Sequence, residues 1–265
     1  MEDIKKQGLG LAAISYDSVE TLKAFTDRHG ISFPLLSDVG STTIDAWGIR
    51  NREATGRSAG IPHPGTFVID RAGTIVSRAF ESSYQERETA GSILATLQAS
   101  ATPGTTSVAG KYLAARLSVS DRLAAPGHRV TLIADVTPGK NIHVYAPGQQ
   151  GYIAIELKLD ASADFKAGAV RFPPSREYYF APLNERVQVF DQPFRILQDV
   201  TLVLTPALRQ RAAAKESLTI TGTLEYQACD DKVCYRPDSV PLTWTIGLTP
   251  IERQLSASQA AERGR

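Results

Sequence analysis

Two domains of different class are predicted: an α/β unit over residues 1–100 and an all-β sandwich over residues 111–249, joined by a linker at 101–110 and followed by a tail at 250–265. Three observations predict this division. Up to residue 100, short apolar runs alternate with helical stretches, the order of an α/β layer. Residues 101–110 are rich in Thr, Pro, Gly and Ser, a composition that suits a connection rather than a core. Beyond Tyr112 the pattern becomes many short alternating runs separated by Pro and Gly turns, the signature of a β-sandwich.

In the first unit, residues 9–15 read as a buried strand. Asp17 or Ser18 then offers an N-cap, Leu22, Phe25 and Thr26 share one helical face, and Gly30 supplies a left-handed stop, so a helix is expected over roughly residues 18–29. Residues 33–36 form a second apolar run, ending at Ser37 and Asp38, which can cap the helix carrying Ile44 and Trp47. Residues 66–70 and 74–78 flank Arg71-Ala72-Gly73 as a hairpin with glycine at its tight position. A helix-like stretch from about residue 85 to 97 closes the unit, with Ile93 and Leu97 on one face. In the second unit, residues 130–134, 152–157 and 218–224 are the clearest strands.

Composition narrows the function. The 265 residues are 42% hydrophobic and 22% charged, and 29 basic against 28 acidic side chains leave a net charge of +1. So even a balance gives no electrostatic reason to bind nucleic acid or an anionic membrane. No apolar run approaches the roughly 18 residues of a membrane-spanning helix, and no apolar segment follows the charged first residues as a secretory leader requires. The two cysteines, Cys229 and Cys234, are too few for a disulfide framework or a Cys-only zinc site. No cofactor is implied. A copper or zinc site joining them to His128 or His143 is an outlying alternative, because those histidines are distant in sequence.

The strongest local signal is Tyr226-Gln227-Ala228-Cys229-Asp230-Asp231-Lys232-Val233-Cys234-Tyr235-Arg236-Pro237. Residues 224–229 read as a strand, Asp230-Asp231-Lys232 as a turn and residues 233–235 as the return, which sets Cys229 and Cys234 opposite each other near a hairpin end. Directly opposed antiparallel residues have Cα atoms about 4.5 to 5.5 Å apart, within reach of a disulfide. As a staple, such a short loop would contribute only about 2 kcal/mol, so a reversible switch explains the pair better. Asp230 and Asp231 oppose thiolate formation while Lys232 and Arg236 partly offset them, which favours a pair attacked by a partner's thiolate over one that initiates attack. Tyr226 and Tyr235 either shield the sulfurs or serve as ordinary cross-strand aromatics.

Two family resemblances follow from these residues. The runs Gly10-Leu11-Ala12-Ala13-Ile14-Ser15, Phe33-Pro34-Leu35-Leu36-Ser37-Asp38, Trp47-Gly48-Ile49 and Pro64-Gly65-Thr66-Phe67-Val68-Ile69-Asp70-Arg71-Ala72-Gly73 resemble the AhpC/TSA peroxiredoxin and redoxin family of thioredoxin-like proteins. That resemblance implies a reactive cysteine at the start of a helix upstream of residue 8, so the domain is expected to be N-terminally incomplete. No cysteine occurs between Met1 and Ala228, and Pro64-Gly65 stands where many relatives carry an arginine, so peroxide reduction by the usual route is not expected. His63 reads as a loop histidine restrained by prolines.

The second half resembles the N-terminal domain of the thiol:disulfide interchange protein DsbD, in its Tyr-Gln-x-Cys, its acidic turn, its Cys-Tyr-x-Pro and its Val240-Pro241-Leu242. The resemblance implies an immunoglobulin-like sandwich that passes electrons through Cys229 and Cys234, with a thioredoxin-like redox protein as donor or acceptor and a periplasmic setting. It also places residues 172–180 at the loop that caps the cysteines, making Phe180 or Tyr179 the expected lid. The competing expectations are a non-catalytic binding module with a permanent disulfide and a fragment of a complete peroxiredoxin-like oxidoreductase.

Overall fold

The computed structural model describes residues 4–5, 8–80, 87–96, 106–180 and 184–251. It divides into two compact units, Met1–Ser100 and Ala101–Arg265. Residues 81–86, 97–105 and 252–265, which hold the start and end of the expected closing helix, half of the expected linker and nearly all of the tail, lie outside the described residues.

The first unit keeps the α/β order. Strand β1 (Ala13–Ser15) pairs in parallel with β2 (Leu35–Ser37), with Ala13 opposite Leu35. Between them runs helix α1 (Val19–His29), begun by the Ser18 hydroxyl, which accepts from Thr21 N at 3.3 Å, and ended by Gly30 at φ 60°. Helix α2 (Thr42–Ala46) is capped from a distance: Asp38 accepts from Thr43 N at 3.2 Å through Oδ1 and from Ile44 N at 2.9 Å through Oδ2. Those amide hydrogen bonds hold its carboxyl below the usual carboxylate range. The hairpin β3 (Gly65–Ile69) and β4 (Ile75–Phe80) turns through Asp70, whose Oδ1 accepts from the amides of Ala72 and Thr74, both at 2.9 Å. Strand β5 (Arg87–Glu88) and helix α3 (Ala90–Thr96) complete this unit, the helix spanning less than the closing stretch expected from the sequence.

The second unit begins with β6 (Thr106–Ala109), β7 (Leu113–Val119), β8 (Leu123–Ala124), β9 (His128–Pro138), β10 (His143–Tyr145) and β11 (Glu156–Leu159). It continues through β12 (Phe165–Arg171), β13 (Arg176–Phe180), β14 (Glu185–Phe190) and β15 (Phe194–Leu202) to helix α4 (Pro206–Ala213). Strands β16 (Ser217–Tyr226), β17 (Ala228–Cys229) and β18 (Asp238–Leu248) end it. One antiparallel sheet has the order β12-β15-β9-β7-β6, a second has β11-β16-β18-β8, and a small third sheet has β13-β14-β10-β17. The result is an immunoglobulin-like sandwich.

Period-two burial builds its core. Leu218, Ile220, Leu224 and Tyr226 from β16 and Val240, Leu242, Trp244 and Ile246 from β18 face Leu113, Leu117, Val130, Leu132 and Ala134 of the first sheet. The Trp244 indole donates to Ile133 O at 3.1 Å and so links the two sheets through a polar contact. At Gly222 a Cβ would sit 2.4 Å from Lys158 O, so only glycine lets β11 and β16 approach.

Two sequence expectations change here. Residues 106–109 are not linker: they form an edge strand, with Thr106 opposite Leu117 and Ala109 opposite Ala114. Thr, Ser and Val are favourable edge-strand residues, and composition alone cannot distinguish them from a connector. The expected strand at 152–157 contracts to Glu156–Leu159, because residues 152–155 serve as the approach to it.

Candidate redox site

The chain changes sheets immediately before the first cysteine. Strand β16 stays paired with β18 as far as Tyr226, Gln227 interrupts it, and β17 then pairs with β10, placing His143 opposite Cys229 and Val144 opposite Ala228. The Gln227 amide steadies this crossing by donating to Tyr235 O at 3.1 Å. Cys229 and Cys234 face each other across an isolated antiparallel bridge with Cα atoms 4.0 Å apart, and their sulfurs are bonded. Residues 233–235 return through that single bridge rather than through a full strand.

Asp230 shapes the turn. Its Oδ1 accepts from the amides of Lys232 and Val233, both at 2.8 Å, and its Oδ2 accepts from the Tyr235 hydroxyl at 2.6 Å. The Tyr235 hydrogen bond, aided by the two amides, holds the Asp230 carboxyl down to about 2. Its backbone amide donates to Val233 O at 3.0 Å, and Tyr235 N donates to Ala228 O at 2.8 Å. Asp231 is exposed beside it.

The two sulfurs are unequal. Cys229 is fully buried, in a cluster with Tyr145, Val187 and Val189, whereas Cys234 is only partly buried. The Tyr145 hydroxyl stands 3.2 Å from Cys234 Sγ and 3.3 Å from Cys229 Sγ, and against a closed disulfide it is the only possible donor in either contact. Burial pushes the Tyr145 hydroxyl well above the ordinary tyrosine range, so it remains protonated and able to donate. Its ring stacks on Tyr152 with centroids 4.2 Å apart, and Tyr152 donates in turn to Glu185 Oε2 at 2.5 Å. His143 is buried against Tyr178, with ring centroids 4.5 Å apart, and its proton affinity is lowered by that burial.

The aromatic residues expected around the sulfurs are distributed differently. Tyr226 lies in the sandwich core, where its hydroxyl donates to Asp238 Oδ2 at 2.8 Å. Tyr235 stacks on Tyr112 at 4.4 Å. On the expected lid segment, Tyr178 packs against the cysteine cluster. Tyr179 is 52% exposed and donates to Asn184 Oδ1, while Phe180 is buried outside that cluster. Tyr145 and Tyr152 join the site without being expected from the sequence. The His-x-Tyr period at residues 143 and 145 was the available signal, since alternate strand residues share a face. His128 accepts from Ala125 N at 3.3 Å, and among the described residues no group of three or more His, Cys, Asp or Glu side chains could hold a metal ion.

Comparison with known proteins matches two separate stretches of the chain. Residues 1–78 match the family model described as AhpC/TSA family, and residues 114–243 match that of the thiol:disulfide interchange protein DsbD, N-terminal. The chain thus carries an AhpC/TSA segment followed by a domain of the DsbD N-terminal type, as the resemblances implied. Among curated proteins it is similar to the thiol-disulfide oxidoreductase ResA of Halalkalibacterium halodurans, 37% identical over 75 residues, which cover 28% of this chain and 36% of the relative. It is also similar to the chloroplastic peroxiredoxin Q of Sedum lineare, 32% identical over 97 residues, covering 37% of this chain and 50% of the relative. The chain therefore spans between a third and a half of the length of these relatives.

Among solved structures, the N-terminal periplasmic domain of ScsB from Proteus mirabilis aligns with TM-score 0.34 and 15% identity, covering 53% of this chain and 49% of that one. The reduced DsbD N-terminal domain of Neisseria meningitidis aligns with TM-score 0.31 and 16% identity, covering 54% and 90%. The two family segments and the bonded cysteine pair together fit thiol-disulfide redox chemistry. Among the described residues no helix is long and apolar enough to cross a membrane.

Proposed function

We propose that the sandwich is a thiol-disulfide relay, exchanging electrons with a thioredoxin-like partner through Cys229 and Cys234. The observation that carries this reading is the unequal burial of the two sulfurs, which leaves Cys234 as the atom a partner can reach. A thiolate of a reduced partner attacks Cys234 Sγ, the bond to Cys229 breaks, and its electron pair departs on Cys229 Sγ beside the Tyr145 hydroxyl. The partner's second thiolate then attacks its own sulfur in the mixed disulfide and releases Cys234. The partner is left oxidised, the pair reduced, and the two protons of the partner's thiols are transferred in net terms to the pair. A donating hydroxyl at the leaving sulfur favours the first step, because hydrogen bonds to charged acceptors are the stronger ones.

The AhpC/TSA segment is a covalently attached neighbour whose tether raises its effective concentration near the sandwich. An oxidising compartment such as the periplasm suits a disulfide of this kind. The test is trapping in the reverse direction of the same exchange, with an oxidised thioredoxin-like protein whose disulfide the Cys234 thiolate attacks. Cys229→Ser should retain Cys234 and accumulate the mixed disulfide, whereas Cys234→Ser should not. A reduction potential below about −300 mV would mark a permanent staple and defeat the relay.

A further inference from the structure

We propose that His143 is the proton-uptake partner of Cys229, neutral against the closed disulfide and protonated when reduction leaves negative charge on that sulfur. The inference deepens the relay reading and rests on the pair opening and closing. Its first support is register: His143 of β10 lies directly opposite Cys229 of β17 in an antiparallel pair, so the two side chains project from the same face as close neighbours. The second is an unmet bond. His143 is 3% exposed, and its buried Nε2 has no hydrogen-bond partner among the described residues. An interior nitrogen left in this state is a cost that folded chains seldom retain without another state in which the atom is satisfied.

The surroundings identify that state. Tyr178 from β13 and Tyr145 from β10 pack their rings against His143, with centroids 4.5 and 5.8 Å away, and offer it no charge. Asp191 and Asp230 favour the imidazolium and Arg176 opposes it, but Arg176 is itself paired with Asp191 and Asp230 is committed to the turn. With the disulfide closed, burial outweighs these influences and favours the neutral ring. Breaking the bond adds an anion in the same enclosed cluster, where an opposite charge commonly shifts a titration by about one to three units. The proton comes from solvent or from the partner's second thiol, and it leaves again when Cys229 re-forms the disulfide. His143 thereby stabilises the leaving thiolate without taking part in any bond to sulfur.

Histidine NMR of the full chain tests this directly. The four histidines give four resonances, and loss of one in His143→Gln assigns the site. Titrating the oxidised protein and the protein reduced by a water-soluble phosphine should show at least a tenfold gain in the proton affinity of His143 on reduction, with His29, His63 and His128 unmoved. Thiolate absorbance should show the more acidic thiol titrating at higher pH in His143→Phe than in the parent. If that variant does not fold, the wild-type titration decides alone. A bond that opens with no change at His143 overturns this inference and leaves the relay standing. A bond that resists the phosphine removes both. Failure to trap a thioredoxin-like partner, with the His143 shift observed, removes the relay alone.

Discussion

Replacing Tyr145 with phenylalanine isolates one hydroxyl. The ring, its 4.2 Å stack on Tyr152 and its place in the buried cluster are retained, while the group 3.2 and 3.3 Å from the two sulfurs is lost. Against a neutral disulfide that hydroxyl makes an ordinary contact worth about 0.5 to 1.5 kcal/mol, whereas against a thiolate it is worth about 1.5 to 3 kcal/mol. The difference, about 1 to 2 kcal/mol, is the stabilisation specific to the state with charge on Cys229. At about 1.4 kcal/mol per factor of ten, Tyr145→Phe should slow attack on Cys234 roughly five- to thirtyfold and raise the pKa of the more acidic thiol by about one unit. Stopped-flow reduction by dithiothreitol at fixed thiolate concentration measures the rate, and thermal unfolding confirms that the cluster is intact. A folded variant with unchanged rate and unchanged thiol titration would refute the assignment of Tyr145 to the leaving sulfur.

Three further outcomes follow from the geometry. Asp230 has its carboxyl depressed from 3.8 to about 2, so its hold on the turn is complete above 3.8 and lost as pH falls towards 2; amide exchange at Lys232 and Val233 should accelerate across that window, and Asp230→Ala should show the fast exchange at neutral pH. Gly222→Ala places a carbon 2.4 Å from Lys158 O and must push β11 away from β16, lowering stability by about 1 to 3 kcal/mol in urea unfolding. Trp244→Ala removes a buried indole and its bond to Ile133 O, and should cost about 3 to 5 kcal/mol by the same measurement.

Local chemistry carried much of this architecture in the chain itself. Ser18 and Gly30 bracket α1 as written, and Asp70 with Gly73 turns the first hairpin. The alternation at residues 218–224 marks the strand that pairs with β18. The cysteine pair was legible because five positions of separation across a turn is a short-range relation. Its surroundings were not. Tyr145 lies 84 positions from Cys229, and the two meet only because the chain leaves β16 at Gln227 and joins β10, a change of sheet that local periodicity does not encode. Tyr178 shows the same limit one residue at a time: in an aromatic run at 178–180, which ring turns towards the sulfurs depends on strand register, and register is set by β14.

The bonds that shape the turn, from Asp230 to the amides of Lys232 and Val233, from Tyr235 to Asp230, and from Tyr235 N to Ala228 O, make no use of sulfur. On the proposed relay, these bonds would go on holding the tip when the disulfide opens, and a visiting protein would meet a similar contour in either state. Recognition by shape then gives no direction to the traffic, which would run whichever way the two couples' potentials dictate.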